Sequence, residues 1–172
     1  MNDNFKKEIV NAIQQNDECA LEEVFEKIYY QYCDLIHYIS LRIVKRVEVA
    51  EDITQEVFMR FFNNIKTTQF RNIKYWLVTA AKNSSLNYIK AKDYQVIYDD
   101  TDFLYLYSKE NKIKPMIESL YQVLSEDEID IIIMHLVFKC TFREIAADKE
   151  VSVNVIKGRY RRAIKKYKKF YN

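Results

Sequence analysis

Apolar residues from Leu21 onward recur three and four positions apart: Leu21, Val24, Phe25, Ile28, Tyr32, Leu35, Ile36, Ile39 and Ile43. That spacing lines one side of an α-helix and predicts a long amphipathic helix with a single buried stripe. A second stripe follows at Ala50, Ile53, Val57, Phe58, Phe61 and Ile65, and a third at Ile73, Trp76, Leu77, Ala80, Ser84 and Tyr88. Polar breaks around 46–48 and 66–72 are short, so the three helices are expected to pack as antiparallel neighbours in a bundle. A shorter helix around Phe5 to Ile13 should pack against them.

Between Asp93 and Lys114 the periodicity dissolves, and Asp99, Asp100, Asp102 and Glu110 alternate with Tyr98, Tyr105 and Tyr107. A loop of that length inside one compact domain is unusual, so 93–114 reads as an acidic linker between domains at 1–92 and 115–172. A partly helical connection docked on the bundle is the alternative. Beyond Pro115 come three helix-start signals. Ser125-Glu126-Asp127-Glu128 and Thr141-Phe142-Arg143-Glu144 have the form of capping boxes, and Ser152 offers an N-cap for a helix from Val153 to about Lys169. The spacing leaves a helix of about 12 residues, one of seven or eight, a turn of three or four, and a basic helix. Short helix, tight turn and basic helix make a helix-turn-helix.

Composition narrows the class. One Gly and one Pro in 172 residues argue against many tight hairpins and exclude Gly-rich phosphate loops, so the fold class is all-α with two small domains. Cys19, Cys33 and Cys140 are odd in number and form no CxxC pair, as expected of reduced thiols in a cytoplasmic protein. With His37 and His135 the only histidines, no metal centre and no cofactor are expected. The most apolar stretch, Ile129 to Phe138, is too short to insert across a membrane.

The net charge of +2 hides a segregation. Val57 to Lys92 holds seven bases and no acid, and Val153 to Asn172 holds eight bases and no acid. The other 12 bases share the rest of the chain with all 25 acids. Two acid-free blocks in an acidic body point to a polyanionic partner. At about 100° per residue, Ile156, Tyr160, Ala163, Ile164 and Tyr167 share one face of the last helix. Asn154, Lys157, Gly158, Arg161, Lys165 and Lys168 share the opposite one. Small and polar side chains followed by cations suit insertion into a major groove, where Arg, Lys and Asn read base edges and distal lysines hold phosphates. A membrane-surface helix is disfavoured because the apolar face carries Tyr and Ala rather than bulky insertion residues.

Several motifs resemble those of bacterial sigma factors of the extracytoplasmic-function (ECF) type. Ala50-Glu51-Asp52-Ile53-Thr54-Gln55-Glu56-Val57-Phe58 is close to that family's A-E-D-x-x-Q-E-V-F. Tyr75-Trp76-Leu77 with Ala81, Asn83 and Asn87-Tyr88-Ile89-Lys90 is similar to its W-L-x-x-x-A-x-N segment. Leu124-Ser125-Glu126-Asp127-Glu128, Phe142-Arg143-Glu144-Ile145-Ala146, Ile156-Lys157-Gly158-Arg159 and Arg162-Ala163 resemble its region 4. The resemblance covers roughly 20–92 and 118–168.

It implies a promoter-specificity subunit, not an enzyme by itself. Asp52, Gln55 and Glu56 would dock on the clamp of the β′ subunit of RNA polymerase core. Lys66, Thr67, Phe70, Arg71, Lys74 and Asn83 would bind the −10 element, with Asn83 lining a pocket for a flipped base. Asn154, Lys157, Gly158, Arg161, Arg162 and Lys165 would bind the −35 element of promoter DNA. An anti-sigma factor is the implied inhibitory partner. From the pattern alone, Asp52, Gln55 and Glu56 could equally be a wet helix face, and Trp76 and Asn83 packing residues. Glu150 stands where the family's turn has Gly and Val155 where Thr is common, which implies an unusual −35 preference. A stand-alone helix-turn-helix regulator and a helical adaptor without sequence-specific DNA contact are the competing functions.

Overall fold

The computed structural model describes residues 2–68, 70, 72–91 and 114–171. Every regular element among them is a helix. Packing divides the chain into two compact units, Met1–Phe103 and Leu104–Asn172. The acidic linker expected at 93–114 falls outside the described residues except for Lys114.

The first unit contains α1 (Asn2–Gln15), α2 (Glu18–Val44), α3 (Val47–Asn64) and α4 (Ile73–Ala91). The α2 helix is central and packs against the other three. Its stripe Leu21, Val24, Ile28, Tyr32, Leu35, Ile36 and Ile39 is buried, as the spacing requires. The Asp17 side chain starts α2 by accepting from the Ala20 amide at 3.0 Å. Lys45, at φ 54°, stops it, its amide donating to Leu41 O at 2.8 Å.

On α3 the buried side is Ala50, Ile53, Val57, Phe58 and Phe61, as read from the sequence, joined by Thr54, whose hydroxyl donates to Ala50 O at 2.7 Å. On α4 the buried side is turned relative to that reading. Ile73, Leu77, Ala80, Ala81 and Ser85 face the core, while Trp76, Ser84 and Tyr88 sit at its edge. Small side chains let α4 lie close to its neighbours, and hydrophobicity alone gives Ala and Ser little weight in a periodic pattern.

The second unit contains α5 (Lys114–Tyr121), α6 (Glu126–Leu136), α7 (Phe142–Asp148) and α8 (Val153–Tyr171). Its core gathers Leu120, Leu124, Ile129, Ile132, Ile133, Ile145, Ile156 and Ala163. The α5 helix, absent from the sequence reading, joins this unit through Ser119 Oγ and Tyr167 Oη, 2.9 Å apart. Both expected helix starts close. Glu128 accepts from the Ser125 amide at 3.2 Å, and Glu144 accepts from the Thr141 amide at 2.7 Å. His135 stacks on Phe142 at 4.3 Å and meets Tyr160 edge-on at 5.1 Å, so one aromatic cluster joins α6, α7 and α8.

Candidate nucleic-acid interface

The turn between α7 and α8 sets how the basic helix is presented. Glu150 adopts φ 55° there, and Val151 donates to Ala146 O at 3.0 Å. The left-handed geometry that glycine would supply is thus kept by a glutamate, at a cost of about 1–2 kcal/mol. Ser152 then caps α8 through the Val155 amide at 3.4 Å.

Rotation about α8 comes out as the sequence predicts. Ile156 and Ala163 are fully buried, with Tyr160, Ile164 and Tyr167 beside them. Asn154, Lys157, Arg161, Arg162, Lys165 and Lys168 are exposed, and Gly158 is half-buried among them. A Cβ on Gly158 would meet only Arg162 Nη1, at 3.5 Å, so internal packing does not require glycine there.

The helix's cations divide into two sets. Arg159 reaches Asp127 at 3.3 Å, and Lys166 reaches both oxygens of Glu128 at 2.7 and 2.9 Å. Lys157, Arg161, Arg162, Lys165, Lys168 and Lys169 meet no acid among the described residues. Burial alone would raise the Glu128 carboxyl, but the Lys166 ammonium and the Ser125 amide outweigh it and hold the group below its ordinary value.

In the first unit Asp52, Gln55 and Glu56 all project to solvent from α3, opposite its buried side. Glu56 forms an exposed pair with Arg60 at 3.7 Å, and Arg60 also donates to Ser84 on α4 at 3.3 Å. One turn further along the same face stands Met59, 66% exposed, which the sequence reading did not single out. A Met lying off the apolar stripe, one helical turn beyond three polar residues, was the available signal.

The candidates for the −10 element are not equivalent. Lys66 and Thr67 are exposed in the turn after α3, and Lys66 is ion-paired with Glu18. Phe70 is half-buried, 4.9 Å from Phe61 and 5.4 Å edge-on from Trp76. Lys74 is 9% exposed and engaged within the fold, so it stands apart from the surface cations. Asn83 is exposed on α4 rather than packed in its core, and Arg71 lies outside the described residues. Tyr75, 59% exposed, stands beside this group, its amide donating to Asn72 Oδ1 at 2.9 Å to start α4.

Residues 28–94, which include most of α2, all of α3 and all of α4, match the family model of sigma-70 region 2. The match lies wholly within the first unit. Over 75 residues the chain is 29% identical to the ECF RNA polymerase sigma factor SigM of Bacillus subtilis, covering 44% of this chain and 46% of SigM. Over 77 residues it is 32% identical to the ECF RNA polymerase sigma factor BldN of Streptomyces coelicolor, covering 43% of this chain and 29% of BldN. The matched part thus spans less than half the length of either relative. The resemblance to ECF sigma factors read from the motifs around region 2 agrees with these matches. Over 96% of both chains the fold is similar to that in the structure of CnrH in complex with the cytosolic domain of CnrY, with a TM-score of 0.55 and 15% identity. The matched range includes Asp52, Gln55, Glu56 and the −10 candidates. The basic helix lies beyond it.

Proposed function

We propose that this protein is a sigma factor that directs RNA polymerase core to specific promoters. The match of 28–94 to sigma-70 region 2 carries this reading. The exposed α3 face of Asp52, Gln55, Glu56 and Met59 docks on the β′ clamp, its apolar Met giving contact area beside the polar groups. Thr67, Phe70 and Asn83 meet the −10 element, where exposed and half-buried side chains around an aromatic cluster offer hydrogen bonds and stacking to unpaired bases. The unpaired cations of α8 read the −35 element as duplex, and 93–114 connects the two domains. An anti-sigma factor holds the protein inactive by covering one of these exposed faces.

The deciding experiment adds the protein to core polymerase lacking any other sigma, on genomic DNA. Specific transcripts are expected, and Asp52→Ala with Gln55→Ala should abolish them while duplex binding persists. Failure to form open complexes with core, together with footprinting of a palindrome by the protein alone, would overturn the reading in favour of a stand-alone regulator.

A further inference from the structure

The sorting of charge on α8 has a cause in another helix. Asp127 and Glu128 lie in the first turn of α6, and each takes a cation from one flank of α8. Arg159 and Lys166 are seven residues apart, two helical turns or about 10 Å along the axis. At about 100° per residue both fall far round the helix from the stripe of Lys157, Arg161, Lys165 and Lys168. Asp127 also receives Lys149 at 3.3 Å, so one carboxylate joins the turn to the helix that follows it.

The geometry points to Asp127 and Glu128 as positioning residues that withhold Arg159 and Lys166 from DNA and fix the rotation of α8 about its own axis. This rests on the reading of α8 as the helix that meets duplex DNA. Eight cations in an acid-free segment would bind any phosphate backbone tightly and with little discrimination. Two contacts on one flank leave Lys157, Arg161, Lys165 and Lys168 facing outward on the other side, with Arg162 and Lys169 between the two. For Lys166 to leave toward a phosphate, the Glu128 carboxylate, whose side chain is only 12% exposed, would lose its cation. Arg159 is held by direction as much as by energy, since its guanidinium is drawn toward α6 rather than toward the open stripe. Two fixed points two turns apart also prevent the helix from rolling, so the same side chains face the bases each time.

The test is the salt dependence of binding by the full chain to a fluorescent duplex of random sequence, read by anisotropy. Each phosphate contact contributes about 0.9 to the slope of log K against log salt. Lys157→Gln and Lys165→Gln should each flatten the slope by about 0.9, whereas Arg159→Gln and Lys166→Gln should leave it unchanged. Conversely, Asp127→Asn with Glu128→Gln should steepen it by about 1.8 and tighten binding to random sequence. A purely structural role for the acids would lower thermal stability without steepening the slope, and that result would overturn the proposal. Equal flattening by Arg159→Gln and Lys165→Gln would also overturn it, while leaving the DNA-binding reading intact. That comparison decides the matter even if the double acid variant does not fold. No measurable duplex binding by the unaltered protein would overturn both.

Discussion

Lys149 Nζ lies 2.6 Å from Asp130 Oδ2, and the two side chains are only 13% and 10% exposed. The pair anchors the turn of the helix-turn-helix to the middle of α6. Removing Asp130 leaves Lys149 with only the more exposed Asp127, 3.3 Å away, so Asp130→Ala is expected to cost about 1–3 kcal/mol. Replacing both partners with apolar residues, Asp130→Leu with Lys149→Met, should recover most of that loss. Urea denaturation of the three proteins checks the prediction, and an Asp130→Ala midpoint equal to the parent's would refute it.

Glu150 carries backbone strain in the same turn. Glycine adopts φ near 55° freely, so Glu150→Gly should stabilise the second unit by up to about 1 kcal/mol, part of the gain being lost to the greater freedom of the unfolded chain. A rise in the thermal midpoint is expected. A fall would show that the Glu150 side chain contributes more than its backbone costs.

Gly158 separates stability from binding. Space exists for a methyl group, and alanine favours helix by about 1 kcal/mol over glycine, so Gly158→Ala should raise the melting temperature. On the proposed DNA face it should at the same time weaken promoter binding, because the backbone can no longer approach as closely. Improved stability with unchanged affinity would remove Gly158 from the interface.

Glu128 gives the second unit a dependence on acid. Its carboxyl is held below the ordinary value of 4.5 in the folded protein. Its stabilising contribution is therefore complete above that value and is lost as pH falls through the ordinary carboxylate range and below. Melting temperatures recorded between about pH 3 and 7 should fall on the acid side, and Glu128→Gln should fall less steeply. Identical acid limbs for both proteins would exclude Glu128 as the source.

The cysteines report on both units at once. Cys19 is exposed, Cys33 is half-buried, and Cys140 is 2% exposed. Burial, and then the neighbouring Asp34 carboxylate, pushes the Cys33 thiol up, which leaves less thiolate to react. Labelling with a thiol reagent followed by mass spectrometry should modify Cys19 first, Cys33 more slowly, and Cys140 only as the second unit unfolds. Early modification of Cys140 would contradict the packing around it.

Much of this architecture is legible in the amino-acid order because helical periodicity and caps are local signals. The α2 stripe from Leu21 to Ile39, the Thr141 capping box and the outward face of α8 follow from residues within a few turns of each other. The phase of α4 was harder, since Ala81 and Ser85 carry the contact while the larger Trp76 and Tyr88 stand at the edge. The α5 helix was missed because Pro115, in its first turn, also reads as the end of a loop. The partition of cations on α8 needs partners 32 and 38 residues away in Asp127 and Glu128, and no local pattern holds that information. Likewise Lys74 looked like one surface base among seven, and only packing shows that it is buried.

Helices that pack on their sequence neighbours have a consequence for how the chain is made. The contacts that close the core around α2 come from α1, α3 and α4, all encoded before residue 92. Such local topologies fold in microseconds to milliseconds, whereas a ribosome adds only about 5–20 residues per second. The first unit therefore has seconds to reach its native form while the basic helix is still being synthesised. A nascent chain would acquire the α3 face proposed to dock on polymerase before it acquires the cations proposed to meet DNA.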